Sequence, residues 1–167
     1  MNTWSLFVWL HVLAGITWIG LLYYFNFVQV PAAAEAASDS DGPGPAAISK
    51  YVAPRALLWF RWGALATWIT GAGALEASGI GIVNAFMLSG GVAVKTIGIG
   101  AWLGTIMLFN VWVLIWPNQK KLLGIVSASD AEKAKAKSIA FMASRTNTML
   151  SIPMILCMIG FAHPLPF

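Results

Sequence analysis

The stretch Trp4–Val30 reads WSLFVWLHVLAGITWIGLLYYFNFVQV and holds no Lys, Arg, Asp or Glu. The hydrocarbon core of a bilayer is about 30 Å thick, so an α-helix needs about 20 predominantly apolar residues to cross it. This run is long enough. Aromatic residues mark both ends, Trp4 and Trp9 at one and Tyr23 and Tyr24 at the other, where amphipathic rings suit the membrane–water boundary. Pro31 follows and is expected to close the helix, because proline has no N–H to continue the backbone ladder.

The rest of the chain repeats the pattern. Its 167 residues are 59% apolar and only 10% charged, against roughly a quarter charged in a soluble domain. The expectation is therefore an all-α integral membrane protein, a four transmembrane helix bundle forming a single membrane domain over residues 1–167. The predicted spans are 4–30, 55–74, 92–116 and 139–162. The connection 31–54 carries Glu35, Asp39, Asp41 and the breaker run Gly42-Pro43-Gly44-Pro45, so it reads as a water-exposed loop, part of it a short surface helix. Residues 75–91 are glycine-rich and read as a turn or re-entrant piece. Pro117 is expected to end the third span. In the connection 117–138, Ser129-Asp130-Ala131-Glu132 has the form of a capping box, which predicts a helix from Ala131 leading into the last span. Pro153 inside that span predicts a kink.

Charge sets the orientation. Lys50, Arg55, Lys120, Lys121, Lys133, Lys135 and Lys137 lie in or beside the first and third connections, while the termini and the second connection have almost none. Cytoplasmic loops collect Lys and Arg, so the loops 31–54 and 117–138 are expected in the cytoplasm and both termini in the periplasm of a bacterial inner membrane, multi-pass. The formal charge of +4 is thus a topology signal, and no nucleic-acid partner is expected. Met1–Leu10 has no Lys or Arg ahead of its apolar stretch and no small-residue cleavage site after it, so the first helix is expected to be kept.

Few side chains can carry chemistry. The single cysteine, Cys157, allows no internal disulfide, and no C-x-x-C-H sequence is present to attach a c-type haem. There is no G-x-S-x-G elbow and no H-E-x-x-H. Gly91–Thr96 superficially resembles a phosphate loop but lacks the glycine–lysine adjacency. No catalytic residue is assigned. The two histidines, His11 and His163, both fall toward the outer side in the predicted topology. An imidazole within a span needs a donor, an acceptor or a metal for its ring nitrogens. Gly15 lies one turn from His11 and would leave room for a flat macrocycle, so His11 is a candidate ligand of haem b, with His163 as a second metal ligand. The alternative for His11 is a hydrogen bond to a neighbouring helix. Lys95, near the outer end of the third span, either pairs with Glu76 or meets the carboxylates of a haem or an anionic substrate. Asn110 and Asn147 are expected to hydrogen-bond across the bundle, and Gly100-Ala101-Trp102-Leu103-Gly104 supports close helix packing.

Four stretches carry a family resemblance: HVLAGITWIG (residues 11–20), LWFRW (58–62), NVW (110–112) running into IWPNQKK (115–121), and SRTN (144–147) through Pro153 to His163-Pro164. In these the chain resembles the membrane (N-terminal) domain of the cytochrome-c-linked bacterial urate oxidases. More loosely, His11 with Lys95 is similar to the four-helix protoporphyrinogen oxidases, which hold haem b with a first-helix histidine. The first resemblance implies a redox-linked membrane subunit that passes electrons to a separate periplasmic c-type cytochrome. The second implies haem b on His11; together with the shared outer depth of His11, Lys95 and His163 it gives the expectation of a haem b site of His11, Gly15, Lys95 and His163, with Lys95 on the propionates. A different class of reading is a cofactor-free accessory structural subunit of a larger respiratory or photosynthetic complex, which nine Trp and nine Phe facing lipid and other membrane subunits would suit. A third is an oxidase of urate or of a porphyrin precursor.

Overall fold

The computed structural model of the chain describes residues 2–163. Among these every regular element is helical. Helix α1 runs continuously over Thr3–Ser38, α2 is Ala53–Ala77, α3 is the short Ile82–Phe86, α4 runs over Val92–Leu122, and α5 is Asp130–Ala162. Three of them, α1, α4 and α5, are long and apolar enough to cross a membrane. The 25 residues of α2 reach about 37 Å at the helical rise, but Arg61, three tryptophans and several glycines lower its mean hydropathy.

Two of the expected helix ends are overturned. The first helix does not stop at Pro31, nor the third at Pro117; they continue to Ser38 and Leu122. The reason is a widened turn ahead of each proline. Phe25–Gln29 and Asn110–Ile115 are π-helical, and a third π turn, Ile48–Val52, precedes Pro54 at the start of α2. An interior proline cannot donate to residue i−4, and its ring collides with that carbonyl. Here residue i−4 is Phe27 for Pro31, Lys50 for Pro54 and Val113 for Pro117, each inside a π turn. The extra residue moves the carbonyl aside, so the helix passes through the proline. Pro153 sits in α5 without such a turn.

Other local expectations are met. Ser129 caps α5: its hydroxyl accepts the Glu132 N–H while the Glu132 carboxylate accepts the Ser129 N–H. The helix opens at Asp130, one residue before the expected Ala131. Between α2 and α4 the chain turns at Gly79 and Gly81, which have φ of +81° and +79°, a region favouring glycine. The expected turn or re-entrant piece there contains α3.

Helix α1 packs chiefly along α2, and α4 along α5, as two antiparallel hairpins laid side by side. Glycines let the first pair close: a Cβ on Gly63 would lie 3.4 Å from the Trp18 backbone nitrogen, and one on Gly71 only 2.8 Å from the His11 ring. In the second pair a Cβ on Gly100 would lie 3.0 Å from Cys157 Cβ, whereas Gly104 meets nothing within 4 Å, so only half of the G-x-x-x-G serves packing. The buried core, including Trp18, Leu22, Phe60, Met107, Val111 and Met154, draws on all four long helices. Most remaining large apolar side chains face outward, which suits lipid contact.

Candidate functional site

The antiparallel arrangement sorts the polar residues to opposite ends. Lys50, Arg55, Lys120, Lys121, Lys133, Lys135 and Lys137 fall at the end where α1 and α4 finish and α2 and α5 begin. The other end gathers the start of α1, the finish of α2, the start of α4 and the finish of α5 around a cavity of about 580 Å³ lined by Asn2, Trp4, Ala77, Ser78, Ile80, Ala93, Val94 and Phe161.

His11 lies about two turns along α1 from this second end, half-buried against α2. Its Nδ1 is 2.8 Å from the Thr67 carbonyl oxygen. A carbonyl only accepts, so Nδ1 carries the proton, and in the neutral ring the lone pair falls on Nε2. This is the tautomer of a metal-ligating imidazole whose other nitrogen is held by a backbone oxygen. Gly71 makes the approach feasible by presenting no side chain beneath the ring. Gly15 also faces α2, where a Cβ would meet Thr67 Cγ2 at an ordinary 3.8 Å.

The other candidates stand at the rim. Lys95 is exposed in the first turn of α4, and His163 is exposed at the C-cap of α5, its backbone N–H bonded to the Ile159 carbonyl at 2.8 Å. Lys95 belongs to the strand of chain that supplies Ala93 and Val94 to the cavity wall, and His163 follows Phe161 of the same wall. The anticipated Glu76–Lys95 pair is not formed. Glu76 Oε2 instead accepts the Ile82 N–H at 3.0 Å, tying the end of α2 to the start of α3. Among the described residues no three His, Cys, Asp or Glu side chains gather as a metal cluster, and no hydrogen bond joins His11, Lys95 and His163.

A polar seam crosses the interior. Asn110 Nδ2 donates to Asn147 Oδ1 at 2.8 Å, and Asn147 Nδ2 donates to the Met107 carbonyl at 3.0 Å. Asn26 Nδ2 bonds the Ser144 hydroxyl at 2.8 Å, and the Tyr23 hydroxyl meets that of Ser151 at 2.9 Å. The expected bonding of Asn110 and Asn147 is thus present, while nothing in the sequence pattern assigns such bonds to Asn26, Ser144, Ser151 or Thr67, or to Tyr23, which reads there as an interfacial aromatic. Thr67 had one signal: Gly63, Thr67 and Gly71 recur every four residues, a small-residue stripe on one face of α2.

A family model, urate oxidase N-terminal, matches residues 80–167, more than half of the chain. The chain belongs to the urate oxidase N-terminal family. No curated protein and no solved structure matches it. Within this urate oxidase N-terminal match fall α3, α4 and α5 with Lys95, Asn110, Asn147 and the Pro117-Asn118-Gln119-Lys120-Lys121 run, whereas His11 and Gly15 lie ahead of it. Nothing matched bears on the looser similarity to the protoporphyrinogen oxidases.

Proposed function

We propose that this urate oxidase N-terminal family member is a membrane-embedded, redox-linked subunit: a four-span bundle of the bacterial inner membrane, termini periplasmic, that binds haem b and passes electrons to a periplasmic c-type cytochrome. The observation that carries the reading is the Nδ1–Thr67 hydrogen bond of His11, which engages Nδ1 and leaves Nε2 as the ring nitrogen available to a metal, in the half of the bundle that the charge pattern assigns to the outer side. In this reading α2 is the fourth span, its length sufficient and its Arg61 lodged against the Trp116 ring at 3.7 Å.

Haem b, when bound, supplies a one-electron redox centre. His11 would hold its iron, with His163 or a water as a second ligand, Gly15 would keep α1 thin beside the site, and Lys95 would offer its ammonium to the propionates. The hydrogen bond to Thr67 orients the imidazole and raises its basicity as a ligand. An absorption spectrum of the purified protein, expressed with haem in supply, tests this. A Soret band is expected, lost in His11→Ala and shifted in His163→Ala. A protein without the band rules the haem out. Labelling intact spheroplasts at a cysteine introduced for Gln119, in a Cys157→Ala background, tests the orientation: reaction from outside would reverse it.

The second reading is a cofactor-free accessory subunit of a larger membrane complex. It is favoured by the fact that the same His11–Thr67 bond joins two helices with no metal needed, as the Asn110–Asn147 and Asn26–Ser144 bonds do. It predicts no Soret band and co-purification with other membrane subunits after gentle solubilisation.

A further inference from the structure

At the lysine-bearing end, two cations share one aromatic ring. The Arg61 guanidinium lies 3.7 Å from the centroid of Trp116, and the Lys120 ammonium 5.9 Å from the same centroid. Arg55 has a partner in the Tyr51 carbonyl at 2.7 Å, and Lys133 has Asp130 at 3.9 Å. Arg61 and Lys120 have neither a carboxylate nor a carbonyl within reach among the described residues. An arginine in a membrane-spanning helix is costly, and stacking on a tryptophan offsets part of that cost. Stacking occupies the face of the guanidinium and leaves its N–H edge free, and that edge matches the oxygens of a phosphate two at a time.

Directly inward of this pair, between α2 and α4, runs an open groove of about 400 Å³ lined by Leu65, Trp68, Thr105, Leu108, Phe109 and Trp112. Its lining is apolar because its two hydrogen-bonding side chains engage each other: Trp68 Nε1 donates to Thr105 Oγ1 at 2.9 Å. Leu65 is one turn along α2 from Arg61, and Trp112 one turn along α4 from Trp116, so the groove begins about 6 Å deeper than the cations. Trp62 braces the corner, its ring edge-on to Trp112 at 5.4 Å. Trp112 also carries an indole N–H that no protein group accepts.

We propose that this groove is a binding site for one anionic phospholipid, its phosphate held by Arg61 and Lys120 and an acyl chain laid along Leu65, Trp68, Leu108, Phe109 and Trp112. The order of chemistry along the groove, cations and then continuous apolar wall, is the order along a phospholipid from phosphate to acyl chain. Basic pockets between membrane helices select anionic headgroups in this way. The site is independent of any haem at the opposite end.

The full-length protein, stripped of lipid in detergent, is titrated with phosphatidylglycerol and separately with phosphatidylcholine, read by native mass spectrometry and by the melting temperature. The wild type is expected to retain one phosphatidylglycerol with a saturable rise in melting temperature, and no phosphatidylcholine. Arg61→Gln with Lys120→Gln should bind on the order of a hundredfold more weakly, the loss of two charge-assisted hydrogen bonds. Lys133→Gln with Lys137→Gln removes the same charge from the protein's surface and should bind as the wild type does. Equal retention of phosphatidylcholine, or an equal loss in the Lys133/Lys137 pair, overturns the proposal. Should the first double variant fail to fold, Lys120→Gln alone and the comparison of the two lipids on the wild type decide it.

Discussion

Asn147 has no accessible surface, and both ends of its amide are engaged, the oxygen by Asn110 and the nitrogen by the Met107 carbonyl. Replacing it with alanine strands the Asn110 side-chain amide in an apolar setting where water cannot substitute, and leaves the Met107 carbonyl to the Asn110 backbone N–H of its own helix. Interhelical hydrogen bonds in membranes contribute about 0.6 kcal/mol on average and up to about 1.7, so Asn147→Ala is expected to lose about 1 to 2 kcal/mol in a reversible unfolding titration in detergent micelles. An unchanged midpoint would mean that the seam is decorative. Such asparagines are legible in sequence because a carboxamide amid leucines and valines needs a partner. The partner is not, since a backbone carbonyl has no sequence signature. His11 illustrates both halves: its need for a partner was readable, but the Thr67 carbonyl emerged only from the packing of α1 on α2. A Cβ at Gly71 would sit 2.8 Å from both Nδ1 and Cε1 of His11, inside contact distance. Gly71→Ala should therefore push the ring off Thr67 and release its tautomer. Imidazole nitrogen chemical shifts read this directly: a single Nδ1–H form in the wild type, a mixture in the variant. A variant that keeps the single form would show that the glycine does not hold the ring in place.

Helices, rather than residues, are where the π turns matter. The apolar runs made the existence of α1, α4 and α5 readable, and Ser129 with Glu132 marked the start of α5 to within a residue. The ends of α1 and α4 were not readable, because a proline is equally consistent with a helix that stops and with one that inserts a residue to pass it. What separates the two is the packing beyond the proline, where the Trp116–Leu122 turns of α4 lie against α5 and Trp116 takes the Arg61 guanidinium. Pro117→Ala restores the missing N–H, so the Val113 carbonyl can again be an i−4 acceptor and the wide turn of Asn110–Ile115 loses its cause. One residue corresponds to about 100° of rotation in an α-helix. Because Asn110 is tied to Asn147 on the near side, the Trp116–Leu122 segment is the part that should swing, drawing Trp116 away from Arg61. Spin labels at Gln119 and Ser138 are expected to show a changed distance in Pro117→Ala; an unaltered distance would assign the π turn to packing and not to proline.

On the scale of the whole molecule the chain is two helical hairpins, α1 with α2 and α4 with α5, joined through the Gly79–Gly81 turn. Positive φ at both glycines and the Glu76–Ile82 hydrogen bond shape this junction, but the strongest packing lies inside each hairpin. The family match begins at residue 80, within that turn, so it covers the second hairpin and α3 as a unit. In lipid, helices form first and associate afterwards through packing and interhelical hydrogen bonds, so a covalent link between hairpins is not what holds them side by side. The surfaces that do so are Trp18, Leu22 and Phe60 against Met107, Val111 and Met154, with Asn26–Ser144, Tyr23–Ser151 and Trp68–Thr105 as the polar bonds that cross from one hairpin to the other. Residues 1–79 and 80–167, made as separate polypeptides in one cell, are therefore expected to assemble, and an affinity tag on either should recover both in about equal amounts. Combining Asn26→Leu with Tyr23→Phe removes two of the three bonds while keeping the apolar shape, and should lower that recovery severalfold. Halves that migrate separately even with the native residues would place the cohesion of the bundle in the Gly79–Gly81 connection instead of the shared core.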